Sequence, residues 1–268
     1  MTSDSVDSVI PDLVPSLQSP PIEVNGNIQV RLKSEEGRLI LTLPAETETS
    51  AIGMNWFDLW LQLKQRLQAG ERFWQPSTTV ELIAGERLLD GRQLKAIADA
   101  LDEVQLQLKR VHTSRRQTAV AAATAGYCVE QQTPHKSALN QLPTDSPQLL
   151  SEPLYLQMTV RSGVEIRHSG TVVILGDLNP GGIVIADGDI LVWGRLRGVA
   201  HAGAAGNSKC LIMALQMEPT QLRIADFVAR APTTTPAQFY PEIAYVTSEG
   251  IRITKAADFS KSQFLSKS

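Results

Sequence analysis

The sequence predicts two architectures in one chain: an α/β N-terminal domain, a small sheet covered by helices, over residues 22–128, and an all-β C-terminal β-solenoid, a β-helix, over residues 154–232. Three observations predict it. Glycine returns every sixth residue, at Gly170, Gly176, Gly182, Gly188 and Gly194, with Ala200 keeping the phase and Gly206 closing the series. Counted in that phase from Val164, the second position is apolar each time, at Ile166, Val172, Leu178, Val184, Ile190, Leu196 and Ala202. The fourth is small or apolar at Ile174, Pro180, Ala186, Val192, Gly198 and Ala204. Upstream, apolar spacing alternates between two and three-to-four in the order β-β-α-β-α-β-α.

Two inward residues separated by one outward residue make a short strand, and a glycine supplies the turn. Six residues are too few for a strand plus a crossover helix. Successive units therefore wind as a parallel coil, with three faces giving about eighteen residues per turn. An ordinary sandwich spaces its turns at roughly 8 to 12 residues and has no reason to hold a six-residue phase.

In the first domain, Ile28, Val30 and Leu32 alternate, as do Leu39, Leu41 and Leu43. The SEEGR segment between them predicts a hairpin. Trp56, Trp60, Leu63 and Leu67 form a helical stripe from an Asn55 cap to Gly70, read as a buried face. Thr78 to Ile83 is a strand. Asp90 with Gln93 opens a helix with apolar face Leu94, Ile97, Ala98 and Leu101. Val104, Leu106 and Leu108 alternate again, and Ser114 with Gln117 predicts a capping box for an alanine-rich helix that stops at Gly126. Arg110, Arg115 and Arg116 cluster near that helix's start, where cations are disfavoured, a hint of an acidic partner.

The flanks are polar. Residues 1–21 are expected to be a flexible tail, 129–153, rich in Gln, Thr, Ser and Pro, a linker, and 233–268 a C-terminal extension and tail containing a hairpin around Ser248–Gly250. The 268 residues, 43% hydrophobic and 20% charged, are ordinary for globular protein, and a net charge of −3 argues against a generic nucleic-acid surface. Cys128 and Cys210 lack a metal-ligand or disulfide-framework pattern. Neither a secretory signal nor a spanning segment is read, so a cytoplasmic location is expected. No P-loop, G-x-S-x-G elbow or H-E-x-x-H motif occurs, and no cofactor or metal is expected.

The words VRSG (160–163), GDLNPGG (176–182), IADGDI (185–190) and LRGVAHAGAAGN (196–207), followed by PAQFY (236–240), resemble the C-terminal domain of the bacterial septum-site determining protein MinC. The resemblance covers roughly the last 110 residues. It implies a right-handed coil that dimerises, with Arg161, Ser162 and Gly163 helping to bind the membrane-attached ATPase MinD and Asp177 and Asn179 on the neighbouring surface. It also implies an N-terminal domain that opposes assembly of the division GTPase FtsZ, and a membrane reached only through the ATPase. From the residues alone, R-S-G and D-x-N-P-G are equally good turn chemistry. Arg195 and Arg197 are outward in the phase and are read as a possible charged interface, with Trp193 a possible anchor.

Two other readings compete. Hexapeptide β-helices also build acyltransferases, in which His168 or His201 would act as base. A filament-forming β-helix shares the solenoid but lacks the α/β domain. The adaptor reading, with no catalysis, ranks above both.

Overall fold

The computed structural model describes residues 28–70, 74–131, 150–230 and 238–260. The expected tail over 1–21 lies outside the described residues. Strands β1 (Arg31–Glu35) and β2 (Arg38–Thr42) pair antiparallel around Glu36 and Gly37, both at positive φ. There follow α1 (Glu46–Ala51), α2 (Trp56–Gly70), β3 (Thr79–Gly85), α3 (Gly91–Glu103), β4 (Gln107–Thr113), α4 (Arg116–Thr124) and β5 (Cys128–Gln131). Strands β2 to β5 are parallel neighbours in sequence order.

The predicted helix starts are met twice. Asn55 Oδ1 accepts from the backbone N–H groups of Phe57 and Asp58, and Asp90 with Gln93 makes a full capping box. The Ser114 box does not form. Ser114 Oγ donates to Gly85 O at 3.1 Å instead, and α4 begins after Arg115 with no side-chain cap. On α2 the fully buried stripe is Leu59, Leu63 and Leu67. Trp56 and Trp60 stack at its margin with ring centroids 6.4 Å apart, only partly covered.

The remaining strands are β6 (Ser151–Leu156), β7 (Glu165–His168), β8 (Gly170–Ile174), β9 (Ile183–Ala186), β10 (Ile190–Leu196), β11 (Val199–Ala202), β12 (Ile212–Met217), β13 (Gln221–Ile224), β14 (Phe227–Arg230), β15 (Glu242–Thr247) and β16 (Gly250–Lys255). The fold is thus mostly sheet with few helices. Leu154 pairs with Val172 and Val172 with Ile190, a step of 18 residues each time. Ile166 pairs with Val184, and Val160, Leu178 and Leu196 are linked by parallel bridges, again 18 apart. All seven second-position residues, from Ile166 to Ala202, are fully buried.

The phase breaks earlier than Asn207. Val184 pairs with Ala200, a step of 16, and Val192 with Ala214, a step of 22. Both of these departures are even, so inward residues stay inward; past a bulge between Val192 and Arg195 the β10–β12 ladder steps by 21, with Leu196 opposite Met217. Pro180, expected inside, is exposed at a corner, and Ala204 is only half-buried.

Two boundaries are corrected. Residues 129–131 and 151–153, expected in the linker, belong to β5 and β6, while 132–149 lie outside the described residues. The apolar strand β12 is covered by β15 of its own chain, and β15 and β16 form the predicted hairpin. The two sheets run β1-β2-β3-β4-β5-β7-β9-β11-β13-β14 and β16-β15-β12-β10-β8-β6.

Candidate functional site

Three successive repeats bring the sequence-predicted residues to one face. The Val160, Leu178 and Leu196 bridges bury their side chains and turn the flanking residues outward. Arg161, Asn179 and Arg197 therefore form one column, and Asp177 and Arg195 part of a second. Backbone bonds fix the spacing: Val160 N donates to Asp177 O at 2.8 Å, Asn179 N to Val160 O at 2.9 Å, Leu178 N to Arg195 O at 2.8 Å and Arg197 N to Leu178 O at 2.7 Å.

Side chains lock the lower part of this face. Asp177 Oδ1 accepts from Arg195 N at 2.8 Å, and its Oδ2 lies 3.6 Å from Arg195 Nε and 3.9 Å from Arg197 Nη2. Arg197 Nη2 also donates to Asn179 Oδ1 at 2.6 Å. Asp177 thus neutralises part of a positive field and holds two guanidinium groups in place. Arg161, one step up, is exposed and makes no ion pair or side-chain hydrogen bond among the described residues.

The Arg161–Gly163 corner needs its glycines. Gly163 has φ +80°, and its N–H donates to Gly181 O at 2.9 Å. Gly181 has φ +79°, and a Cβ there would run into Ser162 Oγ. Ser162 and Gly181 are consequently in close contact, and Arg161, Ser162 and Gly163 are exposed.

Trp193 is 66% exposed and sits one residue past the Ile174–Val192 pair, in line with the exposed Leu175. It borders the charged columns. The sequence reading missed the next step: Gln216 pairs with Arg195, Glu218 N donates to Leu196 O at 2.9 Å, and Thr220 Oγ1 donates to Arg197 O at 2.8 Å. These residues continue the face beyond Asn207, where the six-residue phase no longer signals it.

The histidines invoked for catalysis are engaged elsewhere. The Nε2 of His168 is 2.9 Å from Glu152 O, and that of His201 is 3.0 Å from Ala225 O. Burial pushes both pKa values below the ordinary range, with the carbonyl contacts opposing. The expected basic cluster also has occupants: Arg110 lies 3.0 Å from Glu165, Arg115 Nε donates to Glu86 O at 2.7 Å, and Arg116 is 3.9 Å from Glu152. Among the described residues no group of three or more His, Cys, Asp or Glu side chains is arranged to hold a metal, and no helix is long and apolar enough to cross a membrane.

Comparison with known proteins places the chain in a family. Residues 154–256 match the model of the septum formation inhibitor MinC, C-terminal domain. A probable septum site-determining protein MinC of Nostoc sp. is 62% identical over 243 residues, covering 90% of this chain and 66% of that protein's length. The homologous protein of Synechocystis sp. is 48% identical over 234 residues, covering 85% of this chain and 92% of its own. A solved MinC:MinD cell division protein complex of Aquifex aeolicus is 36% identical, with a TM-score of 0.38, covering 44% of this chain and 96% of that one. The identity to the Synechocystis protein extends well upstream of the matched domain, and the chain belongs to the MinC family of septum site-determining proteins, the septum formation inhibitors.

Proposed function

We propose that this chain is a homodimeric, non-enzymatic inhibitor of division-ring assembly: residues 154–232 form a β-solenoid that docks on a MinD-type ATPase, and residues 22–128 weaken contacts in FtsZ polymers. The protein is cytoplasmic in this reading, reaches the inner membrane surface through the ATPase, and uses neither cofactor nor nucleic acid. The repeated 18-residue step and the buried second positions support the solenoid. Family membership supports the division role.

The observation that carries the docking reading is the column Arg161, Asn179, Arg197, held by the 2.6 Å Asn179–Arg197 bond beside Asp177. A column whose open end carries a guanidinium without an ion pair among the described residues suits a partner that offers carboxylates or carbonyls at a matching spacing. Exposed charges contribute little singly, so several positioned together give specificity. The exposed Tyr155, Leu175 and Trp193 support a self-association face on the sheet beside it, where aromatic anchors are expected at the centre of an interface.

Co-sedimentation with the organism's own MinD-type ATPase on anionic vesicles tests the proposal. ATP-dependent recruitment, weakened at least tenfold by Arg161→Ala and by Asp177→Ala, is the expected result. Equal recruitment in ATP and ADP, or none, removes the docking claim. Sedimentation equilibrium of Trp193→Glu tests self-association, and pelleting of FtsZ polymers with and without the chain tests inhibition.

A further inference from the structure

The two ends of the repeat region are finished differently. At the C-terminal end β13 and β12 are closed by the antiparallel strands β14 and β15. At the N-terminal end, β7 alone would present an open row of backbone N–H and C=O groups, which recruit strands from any source. Strand β5 lies on that row in parallel register, Val129 opposite Ile166, Glu130 opposite Arg167 and Gln131 opposite His168.

Side chains reinforce the pairing from both sides. Arg110 Nη1 lies 3.0 Å from Glu165 Oε1 and 3.9 Å from Glu130 Oε2, and the Arg110 and Glu165 side chains are only 21% and 25% exposed. Cys128 Sγ accepts from Glu165 N at 3.3 Å and lies 3.5 Å from Gly163 O as its donor. Helix α4 packs on β5 and reaches β6. Its small residues Ala119, Ala122 and Ala123 permit the close approach, buried in one apolar cluster with Val129, Leu154 and Ile166. Of the three arginines that the sequence offers to an acidic partner, Arg110 and Arg116 thus meet carboxylates of their own chain, and Arg115 meets the backbone carbonyl of Glu86.

We propose that the α/β unit is the N-terminal cap of its own repeat region, with β5 acting as an extra strand on β7 and the Arg110–Glu165 pair selecting the register. Stacked repeats expose apolar surface at their ends and need such a cap. Apolar burial of Val129 against the alanine face supplies the attraction, but it is tolerant of sliding. A one-residue slip would turn Val129 outward and put Glu130 in its place. The partly buried ion pair penalises other alignments, because each would leave a charge without its partner. Cys128 also touches both ends of the Gly163–Glu165 turn, so the cap buttresses the corner next to Arg161.

Hydrogen exchange and pulsed alkylation of the full chain, without any partner, test this. In the wild type, amides of 128–131 and 165–168 are expected to exchange as slowly as those of β9 and β11, and Cys128 to be alkylated no faster than the buried Cys210. Arg110→Glu should speed exchange in both segments and alkylation of Cys128 at least tenfold, with β3 and β9 still protected, and Arg110→Glu with Glu165→Arg should restore protection. If Arg110→Glu also exposes β3, the near-isosteric Glu165→Gln replaces it. Edge-strand exchange rates at both segments in the wild type, with Cys128 reacting at least tenfold faster than Cys210, would overturn the cap. Unchanged protection in Glu165→Gln and Arg110→Glu would overturn the role of the pair.

Discussion

Glycine does different work in the two regions. In the α/β unit, Gly37 and Gly126 have φ of +82° and +89° and nothing near the place a Cβ would occupy, so backbone conformation alone requires them. In the repeat region, Gly188 has no positive φ, yet a Cβ there would lie 2.6 Å from Thr171 Oγ1, 2.8 Å from Thr171 N and 2.9 Å from Gly170 C. Gly194 likewise would meet Asp177 Oδ1 at 2.5 Å and Gly176 C at 2.7 Å. At Gly170, Gly182, Gly188 and Gly194 the six-residue glycine is thus there less to turn the chain than to let one repeat lie on the next, whereas Gly206, at φ +101° with nothing near its Cβ position, serves the turn. Gly37 and Gly126 tolerate a methyl group at modest strain; Gly188 and Gly194 have no space for it.

The strongest way to break that contrast is a pair of substitutions. Gly188→Val should cost about 3 kcal/mol or more, because overpacking here pushes on backbone rather than on a movable side chain. Gly126→Ala should cost about 1 to 2 kcal/mol, the penalty of a left-handed conformation for an L-residue. Urea unfolding of both variants measures the difference. Equal losses would mean that the repeats relax apart and that close approach is not what the glycines serve.

A second pair asks whether the regions are one cooperative unit. Leu63 on α2 and Ile190 on β10 are both fully buried, and truncating either to alanine should cost about 3 kcal/mol. With the cap in place and the apolar cluster continuous from Leu63 to Ile190, both variants should shift one transition. Two transitions, each moved by only one variant, would separate the regions energetically and weaken the cap.

A smaller effect is expected at the α3 start. Asp90 accepts from Gln93 N at 2.7 Å, and Asp90→Ala should cost about 1 kcal/mol by removing the cap. Ser114→Ala, by contrast, should leave α4 nearly unchanged, since its hydroxyl serves Gly85 O instead. Circular dichroism and urea midpoints of the two variants distinguish a true cap from a sequence match to one.

That last pair shows where the sequence was legible. Local chemistry read correctly at Asn55 and Asp90, which cap their helices, and at Ile166 to Ala202, which face inward because a two-residue period leaves no other choice; Val104 and Leu106, read with Leu108 as alternating strand positions, instead precede β4, and Val104 is the C-cap of α3. What else failed depended on neighbours distant in sequence. Ser114 is drawn to Gly85, 29 residues away. Strand β5 is only four residues long, polar at Glu130 and Gln131, and is defined by partners on either side. The even slips at Val199 and Ile212 preserve the inside-outside alternation, so no hydrophobic pattern records them. Within the site, Asp177, Asn179 and the two arginines were recognisable as outward residues. Their bonds to one another required the 18-residue step, and Gln216 to Thr220 lay beyond the last periodic signal.

Acid should produce the smallest effect and act on the repeat region. His168 and His201 both lie there, each with a pKa lowered by burial. A histidine kept neutral in the folded chain binds fewer protons than the same residue unfolded, whose pKa is about 6.5. The resulting stability is fully present above that value and is lost as pH falls through it toward the lower folded pKa. Unperturbed carboxylates have pKa values of about 4, below this window. The urea midpoint should therefore fall between pH 7.5 and pH 5.5, with exchange in β9 and β11 rising before that in β3. His168→Gln with His201→Gln should flatten the dependence. A midpoint that rises on acidification, or a slope that survives in the double variant, would assign the acid response elsewhere.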